Sequence, residues 1–331
     1  MIVKKGYKEW VLALLVGLVI PWLVFSVADK IYLSKNPTRD TNQMEEVEKE
    51  TIDAFAAMSE SIPVLQENGS TEIMDMANYL TGVLLGEMPV DFHEEALKAQ
   101  AVVARTYALK RFTTGQKHPQ GAVCTQSSCC QAFRTPESFI ESGGTQVDFE
   151  KVFSAVKSTS GQVLYYDDAL IEATYFSCSG GRTEDALAVW GSDIPYLQAV
   201  DSPGEEKAAY YRDSVKFTAD TFSALLGIEQ EGTPVSWLGE VTYTDGGGVA
   251  EMQIGGKKFE GTALREKLGL RSTAFIIAAV GDTVYITTRG FGHRVGMSQY
   301  GAEAMAINGS SYQEILSHYY PGTELRMYSY N

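Results

Sequence analysis

The stretch LLGEMPVDFHEEALKAQ gathers Glu87, Asp91, His93, Glu94 and Glu95, side chains that can hold or move a proton. The last three acids have structural uses. Asp91 followed by Glu94 fits a capping box at a helix start, and acids in a first turn answer free N–H groups and complement the helix dipole. His93, at the same start, is expected to face solvent. Glu87 differs, because it closes an apolar helical run and Met88-Pro89 follows, so no cap motif accounts for it. The negative end of a helix and apolar neighbours both disfavour a carboxylate and raise its pKa, the condition a general acid needs near neutral pH. A surface glutamate beside a proline is the alternative, and these residues alone leave both open.

The cysteines are Cys124, Cys129, Cys130 and Cys178. With His118 the first three read H-x5-C-x4-C-C, a soft donor set suited to tetrahedral, structural Zn2+. A Cys124–Cys130 disulfide is the alternative, since an extracytoplasmic domain can oxidise its thiols. Cys178 stands in YFSCSGGRTED at a predicted strand end. There Ser177 and Ser179 can bond sugar hydroxyls or N-acetyl groups, and Gly180 and Gly181 let a polymer approach the backbone; a tight turn is the alternative. Cys178 with His293 as base would make a cysteine amidase or peptidase, although no third group is evident to orient the base. In RGFGHRVGMSQYGA the glycines fall at 290, 292 and 296. That spacing breaks the dinucleotide fingerprint, and no βαβ unit surrounds it.

The elements that must position these groups follow from periodicity. Tyr79, Leu80, Val83 and Leu84 share a helical face that ends near Pro89. EEALKAQAVVARTYALKRF continues as a second helix with a narrow stripe of Leu97, Ala101, Ala104 and Ala108. KVFSAVKST reads as a helix, and QVLYYDD and IEATYFS as strands. WLGEVTYTDGGGVAEMQIGGKKFEG and STAFIIAAVGDTVYITTRG alternate between turns as antiparallel strands, with a short helix at 261–269 between them and a last helix in SYQEILSHYYPG. Helices and strands in blocks predict an α+β fold with mostly antiparallel strands, one domain over 71–331.

The whole chain has 331 residues and a net charge of −15, which argues against a nucleic-acid partner. Residues 10–28, WVLALLVGLVIPWLVFSVA, are uncharged and long enough for a bilayer crossing; Lys4, Lys5 and Lys8 place the 1–9 tail in the cytoplasm and the remainder outside. Cleavage as a signal peptide is the rival, with a partial motif at Ser26-Val27-Ala28. Residues 29–70, acidic and sparsely apolar, read as a stalk.

GEMP followed by ALKAQAVVARTYAL, then YFSCSGGRTED, AVWGSDIPYLQAVDSPGE, LREKLGLRSTAF, RGFGHRVGMSQYGAEAMA and ILSHYYPGTEL, resembles the stage II sporulation protein D family, which includes amidase enhancers. The resemblance runs from about residue 75 to the end. It implies a lytic transglycosylase acting on peptidoglycan glycan strands, with Glu87 as catalytic acid, in a membrane-anchored protein of the mother cell facing the intermembrane space. A peptide-stripping amidase and other engulfment proteins are the implied partners. One carboxyl group can suffice, because the muramic acid C6 hydroxyl replaces water; a second carboxylate, if required, would be Glu184 or Asp185. The resemblance sets His293 and Gln299 in a glycan groove, with Tyr107, Tyr175, Ser177, Ser179, Gly180 and Gly181 as further substrate contacts. Arg105 is expected to face Glu87 or a free lactyl carboxylate. Some relatives carry His in place of Cys129, which supports the His/Cys zinc site. The family commonly has Gly where this chain has Arg294, which puts the loop after His293 in question. A glycan-binding module that only activates an amidase is the non-catalytic alternative.

Overall fold

In the helix Glu94–Thr114, nearly every residue from Ala96 to Leu109 is buried. The computed structural model describes residues 60–115, 117–118, 123–229 and 231–329. The anchor expected at 10–28 and most of the stalk lie outside the described residues, and no described helix is long and apolar enough to cross a membrane. The narrow stripe read from Leu97 and the three alanines is thus one side of a helix enclosed all round. Its cap also differs from expectation. His93, not Asp91, is the N-cap, its Nδ1 accepting from the Glu95 N–H at 3.2 Å. The imidazole does the work expected of a carboxylate, while the His93 N–H donates to Glu303 at 2.6 Å.

Around this central helix pack the helices Met76–Glu87, Gln146–Ser158, Gln299–Ile307 and Tyr312–Tyr319 and the strand Gln162–Tyr166. That strand pairs antiparallel with the terminal strand Glu324–Met327. The strand Ser61–Leu65 corrects the expected boundary of the stalk at residue 70. Its Ile62 and Val64 are fully buried, and it pairs with Thr71–Asp75 and with Val123–Cys124. Two alternating aliphatics are too short a signal to stand out beside an acidic stretch.

A second hydrophobic cluster forms a lobe inserted within the first, from Arg212 to Arg289. Arg212–Thr218, Thr283–Arg289 and Phe275–Val280 make one antiparallel sheet, and Leu238–Tyr243, Val249–Ile254 and Lys257–Glu260 another. Phe222, Ile254, Leu264, Val284 and Ile286 fill the space between them. The molecule is α+β; among the described strands pairing is antiparallel except Ser61–Leu65 with Val123–Cys124 and Tyr175–Phe176 with Met297–Ser298, and an isolated parallel bridge joins Glu184 to Val295.

A buried network clasps the two lobes. Arg294 and Glu184 form an ion pair at 3.2 Å with side chains 2% and 1% exposed. The Arg294 guanidinium also donates to the carbonyls of Ser179, Arg182 and Gly246, while Glu184 accepts from Thr244 and the Gly248 N–H of the second lobe. Arg294 holds φ +67°, the left-handed conformation that glycine adopts freely. The loop keeps a glycine's backbone geometry although an arginine occupies it.

Candidate active site

Glu87 ends its helix half-buried, at the wall of a cavity of about 510 Å³. The Ala132 N–H donates to its Oε1 at 2.6 Å. Burial raises its pKa, opposed by that hydrogen bond and by one with Tyr175. Gln131 holds the tyrosine: its Nε2 donates to the Tyr175 hydroxyl at 3.1 Å, and its Oε1 accepts from Tyr79 at 3.2 Å. Glu87 is therefore a fixed, partly desolvated acid among neutral donors, with no described cation paired to it.

The loop that supplies Gln131 and Ala132 begins at the cysteine cluster. One ligand atom each from His118, Cys124, Cys129 and Cys130 lies within 4.8 Å of all the others. His118 Nε2 stands 3.3 Å from the Cys130 sulfur and 3.6 Å from the Cys129 sulfur. A tetrahedron with metal–sulfur bonds of about 2.3 Å has ligand–ligand edges of about 3.8 Å, so the donor set fits Zn2+ in size and softness. All four cysteines are free thiols.

Residues 66–166 match the family described as stage II sporulation protein. The stage II sporulation protein D of Bacillus subtilis (strain 168) is 41% identical over 80% of this chain and 78% of its own length. The chain belongs to the stage II sporulation protein D family. The Bacillus amyloliquefaciens protein of the same name is 39% identical over 84% of this chain and 83% of its own. An amidase enhancer of B. subtilis is 31% identical over 75% of this chain but 40% of its own length.

The signature segments of this stage II sporulation protein D family member divide between cavity and scaffold. Glu87, Tyr107, Tyr175, Ser177, His293 and Gln299 all line the cavity. Gln299 lines this family member's cavity, and its side-chain Nε2 is buried with no hydrogen-bond partner. His293 is more scaffold than ligand. Its Nδ1 accepts from the Val295 N–H at 3.1 Å, it bonds the Tyr175 backbone, and burial pushes its pKa down to about 4, so the ring is neutral at pH 7.

Other expected contacts are corrected. Arg105 does not reach Glu87 or the cavity; it is 2% exposed and donates to the carbonyls of Gln162 and Val156 at 3.1 and 3.2 Å. It sits on the side of the central helix facing those elements, which its sequence spacing from Tyr107 does not reveal. Ser179 is fully buried, its hydroxyl donating to Glu205. Gly180 and Gly181 have positive φ and shape that turn without lining the cavity. Gly290 makes the approach possible: at φ +80°, a Cβ there would meet the Ser179 carbonyl at 2.6 Å. Asp185 caps the helix Ala186–Trp190, and Glu184 is held in the clasp, so neither supplies a second acid. Cys178 is fully buried with its thiol pushed up to about 12 by burial, the reverse of an activated nucleophile.

Sequence reasoning missed two residues that organise the site. Glu205 is 1% exposed and accepts from the N–H groups of Ser179 and Gly180 and from the hydroxyls of Ser179, Ser202 and Ser298, tying the SCSGG turn to the start of the helix bearing Gln299. Its place in the DSPGE segment was the available signal. Gln131 directly follows the cysteine pair, and nothing local marks it.

Proposed function

We propose that the protein is a lytic transglycosylase that cleaves peptidoglycan glycan strands with Glu87 as its single general acid and base. The supporting observation is that Glu87 is the one carboxyl group lining its cavity among the described residues, with its pKa raised by burial. Protonated Glu87 donates to the glycosidic oxygen as its bond to muramic C1 breaks. The muramic C6 hydroxyl then bonds C1 and returns its proton to the Glu87 carboxylate, leaving a 1,6-anhydromuramoyl end. Atoms balance without water, which is why no second carboxylate is needed. Ala132 and Tyr175 aim the carboxyl group, and Gln299 offers a donor to the sugar.

His118, Cys124, Cys129 and Cys130 would hold Zn2+ as a structural tether of the loop carrying Gln131 and Ala132. On this reading the activity belongs to sporulation, beside an amidase that strips stem peptides, with the domain held outside the membrane by the 10–28 anchor; the sporulation and amidase-enhancer names of the relatives support the first part. The amidase-enhancer relative favours a second reading, a glycan-binding activator without its own chemistry.

Mass spectrometry of glycan digested by the full-length protein tests the proposal. Wild type is expected to give anhydromuramoyl ends, and Glu87→Gln to lose them by roughly a hundredfold or more, the scale of general acid catalysis. Reducing ends as product, or an active Glu87→Gln, would overturn it. No anhydromuramoyl ends from peptide-free glycan, together with faster release of stem peptides by an added amidase, would establish the activator.

A further inference from the structure

His293 walls the Glu87 cavity, and Trp190 packs against it, ring centroids 5.3 Å apart. Trp190 in turn lines a second cavity of about 580 Å³ at the junction of the lobes. Trp190 is 44% exposed and neighbouring Leu187 57% exposed, an open apolar face in a hollow of mixed lining. The walls opposite carry the hydroxyls of Thr262 and Thr273 and the carboxylates of Glu251 and Glu260. Glu184 lines this cavity too, and its buried Oε2 has no hydrogen-bond partner.

We propose that this second cavity is a saccharide subsite with Trp190 as its stacking platform, so that a strand bound at Glu87 continues across His293 and Trp190. The inference rests on the glycan reading of Glu87. An aromatic face ringed by hydroxyls and carboxyls fits a neutral, hydroxyl-rich ring, whose C–H face packs on the indole while its hydroxyls bond the rim. The charge selects the sugar. No described basic residue lines this cavity; Arg294 and Lys258, outside its lining, answer the charges of Glu184 and Glu251, and Glu260 adds a further carboxylate, so the subsite takes N-acetylglucosamine in preference to muramic acid with its lactyl carboxylate.

The test compares strand lengths. Peptide-free glycan octasaccharide and tetrasaccharide are digested by the full-length protein, and kcat/KM is measured for each. Wild type is expected to favour the octasaccharide about tenfold, the effect of seating one more ring on an aromatic face. Trp190→Ala is expected to bring that ratio to about one through KM, and Trp190→Phe to keep most of it. Equal losses on both lengths would mean that Trp190 only props His293, and an unchanged ratio would mean that no sugar reaches it; either overturns the subsite while the glycan reading stands. Wild type yielding no anhydromuramoyl ends from either length would remove both.

Discussion

Replacing Arg294 with glycine sets two effects of opposite sign against each other. The residue sits at φ +67°, so glycine relieves a left-handed conformation costing about 1–2 kcal/mol for an L side chain. Against this, the change breaks an ion pair whose side chains are 2% and 1% exposed, a loss of about 3–5 kcal/mol. The carbonyls of Ser179, Arg182 and Gly246 lose a donor as well, at about 1–3 kcal/mol for each that stays dry. Glu184 limits the damage, because burial already raises its pKa and it takes a proton once its partner is gone. The net expectation is a destabilisation of about 3–5 kcal/mol, or a Tm lower by about 10 °C for a domain of this size. Urea unfolding and thermal melts of the full-length protein at pH 7 measure it. In a Glu184→Gln background the same substitution should cost about 2 kcal/mol less, since the carboxylate is already absent. A glycine variant as stable as wild type, or equal costs in both backgrounds, would refute the clasp as the hold between the lobes.

Two further outcomes follow from the site. Because Glu87 must be protonated to act and burial raises its pKa, kcat/KM should fall as pH rises through that raised value; Tyr175→Phe removes a bond that favours the carboxylate and should move the fall to higher pH, and a downward move would contradict the geometry. Arg105→Ala should lower stability by about 3 kcal/mol, and at a temperature where it is folded should cost the same factor on peptide-free and peptide-bearing glycan; a loss confined to peptide-free glycan would return Arg105 to a substrate carboxylate.

Local periodicity carried much of the fold. The helix ending at Tyr319, the antiparallel strands from Leu238 to Glu260 and the hairpin Phe275–Arg289 were legible because each has one drier and one wetter face, and the helix ending at Glu87 because it is an apolar run stopped by Pro89. The cap at His93 was not, because Asp91 and Glu94 carry the composition of a capping box without its geometry. The candidate acid was legible as a carboxyl group that no cap explained, and the family segments added its cavity neighbours. What stayed hidden were long-range hydrogen bonds: Arg105 to carbonyls more than fifty residues on, Ser179 to Glu205, and Ala132 to Glu87. Side chains meet such partners only through tertiary packing, which no spacing encodes.

The insertion of one lobe into the other also sets an order of events in synthesis. Tyr175 stands in the cavity wall with Gln299, and Tyr175–Phe176 pairs with Met297–Ser298 only after the whole second lobe has been made. The first lobe then awaits the final strand, Glu324–Met327, to cover Gln162–Tyr166. Contacts this distant in sequence form late. A chain that has not yet reached Gln299 carries Glu87 without the full wall of its cavity, so the candidate site is completed only after the second lobe has been made.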